Sequence, residues 1–125
     1  MAFRPFARRR INSLVLVVFV AAAAFTLWRA LLPGDDSVGL IPWDKAQHFI
    51  VFYVLTSLAV VALPASRFWR IGAVLLAFGG LIELLQAVPV IGRDASAGDI
   101  LADACGVGAV FGPMLIARWR ARQGL

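Results

Sequence analysis

Four apolar runs, separated by short polar stretches, set the plan of this chain. The first extends from Ile11 to Leu32 and is interrupted only by Asn12, Ser13, Thr26, Trp28 and Arg29. The others cover residues 45–63, 71–88 and 99–117. Each approaches the roughly 20 residues that a helix rising about 1.5 Å per residue needs to cross the hydrocarbon of a bilayer. Turn-rich segments lie between them: Pro33-Gly34-Asp35-Asp36-Ser37, continuing to Pro42-Trp43; Ala65 to Arg70; and Pro89 to Gly98. The pattern predicts an all-α, polytopic membrane protein, a bundle of four transmembrane helices forming one domain over residues 1–125.

Composition agrees with this plan. Hydrophobic residues make up 62% of the chain and the mean hydropathy is +0.87, whereas soluble domains are about 45–50% apolar. The basic segment 1–10 followed by an apolar run also describes a secretory signal, and Ala21 to Ala24 offers small residues for cleavage. The run is longer than the roughly 7–15 residues of a signal core, so it is read as an uncleaved span. The single cysteine, Cys105, lies in an apolar run, with no CxxC or Cys/His metal spacing.

Charge fixes an expected orientation. The formal net charge is +5, and the arginines flank apolar runs, which points to membrane topology and anionic lipid instead of nucleic acid. With four spans, the leader (Arg4, Arg8, Arg9, Arg10), the 65–70 loop (Arg67, Arg70) and the tail (Arg118, Arg120, Arg122) share one side. They hold nine of the twelve basic residues and no acid. The other side holds Arg29, Lys45 and Arg93 against Asp35, Asp36, Asp44, Asp94 and Asp99. The positive-inside rule then predicts cytoplasmic termini, with the 33–44 and 89–98 loops outside.

The candidate chemistry sits at that outer end. Asp44, Lys45 and His48 open the second span, Glu83 and Gln86 close the third, and Asp99 and Asp103 open the fourth. Spacings of three or four place Lys45 with His48, Glu83 with Gln86, and Asp99 with Asp103 on one face of each helix. Facing lipid, such groups cost several kcal/mol, so these faces are expected to turn inward and satisfy one another. Gly79, Gly80, Ala102, Gly106, Gly108 and Gly112 offer close helix approach, and Gly108-x-x-x-Gly112 fits the small-xxx-small pattern.

At these positions the sequence resembles the VanZ-like family, named for a teicoplanin-resistance protein. The blocks are Asp44-Lys45-Ala46-Gln47-His48-Phe49, then Glu83-Leu84-Leu85-Gln86, then Arg93-Asp94-Ala95-Ser96-Ala97-Gly98-Asp99 with Gly106, over about residues 43–112. Two positions depart from the family pattern. Asp103 stands where the family usually has Asn, and Phe52 stands where a Tyr is common, with Tyr53 following. The resemblance implies a small polytopic protein of a bacterial cytoplasmic membrane, linked to glycopeptide susceptibility. It adds Arg93 and Ser96 to the candidate site.

Three functional readings follow. In the first, an outward polar pocket binds an anionic envelope lipid or a lipid-linked cell-wall precursor. Lys45, Arg93 and His48 would hold its head group while Glu83, Asp99 and Asp103 orient them; Asp44, Gln86 and Ser96 complete the candidate ligand set. In the second, the protein is a membrane enzyme acting on a lipid-linked phosphate or glycosyl group, with His48 as general base or nucleophile oriented by Glu83 or Asp99. In the third it is a structural assembly partner. One His among carboxylates gives no zinc spacing, so no metal or cofactor is assigned, and no nucleotide loop or Ser/His/Asp hydrolase motif is present.

Overall fold

The computed structural model describes residues 5–33 and 44–124. Asp35, Asp36, Pro42, Trp43 and Arg4 lie outside the described residues. Among the described residues four α-helices follow one another: α1 (Pro5–Ala30), α2 (Asp44–Ala62), α3 (Phe68–Gln86) and α4 (Ala97–Gln123). All four contain stretches long and apolar enough to cross a membrane.

The helix ends move from their expected places for local reasons. Pro5 opens α1 inside the basic leader, where its missing N–H costs nothing. Phe68 starts α3 three residues before Ile71. The same helix stops at Gln86, ahead of Val88, because Pro89 disfavours helical backbone at the residue before it. Ser96 caps α4: its hydroxyl accepts the Gly98 N–H at 3.1 Å, so the helix begins two residues before Asp99. That helix then runs past Ala117 through the arginine-rich tail to Gly124, whose φ of 72° gives the left-handed cap that glycine adopts without penalty.

Phe52, Leu55 and Ala59 of α2, Ile71 and Leu75 of α3, and Val107 and Phe111 of α4 form the core, and α1 adds Phe19, Ala22 and Ala23 along its flank. The outer faces are as apolar as the core. Val17, Val74, Leu84 and Leu101 are all exposed, which suits lipid and leaves van der Waals packing to hold the helices.

Close packing falls on Gly79 and Gly106, two of the six small residues expected to allow it, and not on the Gly108-x-x-x-Gly112 pair. A Cβ at Gly106 would run into the Phe49 carbonyl and lie 2.9 Å from the Tyr53 nitrogen, both backbone atoms of α2. A Cβ at Gly79 would meet the Asp103 carboxylate and Phe52. Gly80, Gly108 and Gly112 face open space, so Gly108-x-x-x-Gly112 is not a contact between the described helices. The result is one end of the bundle where α1 stops, α2 starts, α3 stops and α4 starts.

Candidate functional site

The helix faces predicted from spacing do converge at that end. Asp44 and His48, four residues apart, stack on one face of the first turns of α2. Glu83 lies one turn from the end of α3, and Asp99 and Asp103 lie in the first two turns of α4. Glu83, Asp99 and Asp103 are 5%, 2% and 1% exposed. Carboxylates buried so deeply are costly unless they share partners, and the partners are here.

The centre is His48. Its Nδ1 donates to Asp103 Oδ1 at 2.8 Å. A carboxylate only accepts, so the pairing holds the proton on Nδ1 and leaves Nε2 on the opposite edge of the ring. Nε2 faces two more carboxylates, Glu83 Oε1 at 3.8 Å and Asp44 Oδ1 at 3.9 Å. The residue orienting the imidazole is therefore Asp103, in place of the Glu83 or Asp99 expected from the sequence. Asp99 instead accepts from the Lys45 ammonium at 3.3 Å.

Glu83 divides its two oxygens. Oε2 accepts the Ser96 N–H at 2.7 Å, a short charge-assisted bond tying the 87–96 loop and the start of α4 to α3. Oε1 points to the His48 ring. Ser96 is thereby a positioning residue: its N–H serves Glu83 and its hydroxyl caps α4.

Gln86 and Arg93 reach the end of α1. Gln86 Nε2 donates to the Ala30 carbonyl at 3.2 Å, and Arg93 Nη1 donates to the Arg29 and Ala30 carbonyls, each at 3.2 Å. The last carbonyls of a helix lack partners within it, and these two side chains supply them. Burial first, and the nearby Arg29 guanidinium second, push the Arg93 pKa below its ordinary value; an arginine keeps its charge nonetheless. The first span carries no motif. Its contribution combines the main-chain carbonyls of Arg29 and Ala30 with the Phe25 and Arg29 residues that line the adjoining cavity.

A cavity of about 190 Å³ opens between the end of α1, the start of α2 and the end of α3. Its polar end carries Arg29, Asp44, His48 and Arg93, and its apolar wall includes Phe25 and Val51. Lys45 is not among its lining residues. Phe52 is packed in the core, and Tyr53, half-exposed, stacks on Phe49 at 6.4 Å on the outer side of α2. The tyrosine thus takes no part in the site.

Comparison of the chain with family models, with curated proteins and with solved structures finds no match in any of the three.

Proposed function

We propose that this chain is a VanZ-like multi-pass protein of a bacterial cytoplasmic membrane, with both termini inside and the polar end outside. There it binds the anionic head group of an envelope lipid or lipid-linked cell-wall precursor. The observation that carries this reading is the cavity itself. Arg29 and Arg93 are among its lining residues, together with the aromatic and aliphatic residues Phe25, Val51, Phe52 and Ile82. A guanidinium matches a phosphate through paired N–H groups, and the apolar wall matches a hydrocarbon chain, so an amphiphile fits both halves. The sequence expectation assigned head-group binding to Lys45, Arg93 and His48. Lys45 is held by Asp99 and lies outside the cavity lining, whereas Arg93, itself bonded to the carbonyls ending α1, and Arg29 line it, so position favours the two arginines.

The orientation rests on the arginine distribution and the envelope role on the three motif blocks. The binding test compares a short-chain isoprenyl monophosphate with the corresponding alcohol on purified protein in micelles. The reading expects the phosphate to bind at least tenfold more tightly, with the preference lost in Arg29→Ala and Arg93→Ala. Equal affinity for phosphate and alcohol would sink it. Labelling of single cysteines placed at 94 and 120 in a Cys105→Ser background tests the orientation: position 94 should react from outside the cell and position 120 only after lysis. Teicoplanin susceptibility of cells carrying the wild-type chain or Arg93→Ala, at equal protein level, tests the envelope link.

A second reading is favoured by the His48–Asp103 pair. An imidazole held at Nδ1 by a carboxylate, in a residue that lines a cavity, is arranged as a general base when Nε2 carries no proton. On that reading the protein is an enzyme acting on the lipid-linked group, and turnover should vanish in His48→Gln while phosphate binding persists.

A further inference from the structure

We infer that Asp44, His48, Glu83 and Asp99 form a binding site for one divalent first-row cation of the Mn²⁺ or Zn²⁺ kind. The inference does not depend on the lipid reading. It begins from charge: four carboxylates, those of Asp44, Glu83, Asp99 and Asp103, surround one imidazole and one ammonium. Three of the four are buried, and a buried excess of negative charge is relieved either by protonation or by a bound cation.

Geometry then selects the atoms. One carboxylate oxygen each from Asp44 and Asp99 and a ring nitrogen of His48 all lie within 4.8 Å of one another. The separations of 3.8 Å and 3.9 Å from His48 Nε2 to Glu83 and Asp44 are too long for charge-assisted hydrogen bonds, which run about 2.7–2.9 Å. They do suit donor atoms sharing an ion, since ligands held at about 2.0–2.2 Å lie no more than roughly 4.2 Å apart. Glu83 lies outside the compact set of Asp44, His48 and Asp99 and joins it through its 3.8 Å approach to His48 Nε2, with a side-chain rotation toward the other two.

Two independent features point the same way. Glu83 Oε1 is buried, has no hydrogen-bond partner and is aimed at Nε2, on a side chain only 6% exposed. The His48 Nδ1–Asp103 pair is the arrangement in which an outer carboxylate fixes the tautomer and raises the basicity of a ligating imidazole. Imidazole with carboxylates favours Zn²⁺ or Mn²⁺ over the harder Mg²⁺ and Ca²⁺. Lys45, half-exposed on a flexible stem, holds Asp99 until the ion displaces its ammonium. No chain spacing could reveal this site, because its donors come from three helices.

The test uses the full-length protein in micelles, stripped with a chelator and titrated with Mn²⁺ under electron paramagnetic resonance, with no phosphate lipid present. The expected result is one Mn²⁺ per chain, displaced by Zn²⁺. Affinity should fall at least tenfold in Asp44→Asn, whose partly exposed side chain can change without disturbing the fold, and in Glu83→Gln. Asp94→Asn, an exposed loop residue outside the cluster, should bind like the wild type. Failure to saturate at one ion per chain, or binding indifferent to the Asp44 and Glu83 substitutions, overturns the inference. Either result leaves the isoprenyl-phosphate comparison standing, so the two readings fail separately.

Discussion

Replacing Gly106 by alanine is the sharpest perturbation of the packing that assembles the site. The new methyl carbon would stand 2.9 Å from the Tyr53 nitrogen and 3.2 Å from Phe52 Cβ, and closer still to the Phe49 carbonyl oxygen. Carbon contacts are normally about 3.5–4.0 Å. Two of the three obstructing atoms are α2 backbone and cannot rotate away, so α4 must back off by roughly 0.5–1 Å, an overpacking cost of about 1–3 kcal/mol. Asp103 lies one turn before Gly106 toward the same helix, so the 2.8 Å bond to His48 lengthens with the same movement. Gly108→Ala enters open space, and removing that mid-helix glycine should stabilise by about 0.5–1 kcal/mol; Gly112→Ala also enters open space, but its Cβ precedes Pro113, which disfavours helical backbone there and offsets the gain. Unfolding in mixed micelles, followed by tryptophan fluorescence, reads all three variants. The expected order places Gly106→Ala below wild type and Gly108→Ala at or above it, with Gly112→Ala below Gly108→Ala. If Gly106→Ala proved as stable as Gly108→Ala, the close α2–α4 crossing would be wrong.

Other substitutions give distinct outcomes. Glu83→Ala removes the acceptor of the 2.7 Å bond from Ser96 and should cost about 1.5–3 kcal/mol, as for hydrogen bonds to charged groups; Glu83→Gln, a neutral acceptor, should cost less. The same unfolding assay measures both. Arg93→Ala releases the Arg29 and Ala30 carbonyls, so amide exchange by mass spectrometry should quicken at the end of α1 and in the 87–96 loop while the α2–α4 core stays protected. Cys105 is exposed on the protein surface but sits about two turns inside α4, facing hydrocarbon in a membrane. It should react slowly with a charged maleimide and readily with an uncharged lipophilic one.

Much of this was legible in the sequence. Hydrophobic run length gave four helices, and the three- and four-residue spacings gave the faces bearing His48, Glu83, Asp99 and Asp103. Helix ends shifted by a few residues where a cap or a proline decided, as at Ser96 and Pro89. Spacing fixes a face but neither the height nor the rotation of one helix against the next. That is why Glu83 and Asp99 were the expected partners of His48 while Asp103 holds its ring, and why Gly108-x-x-x-Gly112 looked like an interface while Gly79 and Gly106 make the contacts. The carbonyls ending α1 left no trace because every residue carries one.

Polar side chains from three separate helices converge on a single imidazole. The chain has one histidine, so protein labelled with ¹⁵N in that ring gives one imidazole signal in nuclear magnetic resonance. The account predicts a downfield Nδ1 proton protected from exchange with water, lost in Asp103→Asn with the helices still folded. A rapidly exchanging ring, with the same signal in wild type and Asp103→Asn, would contradict it.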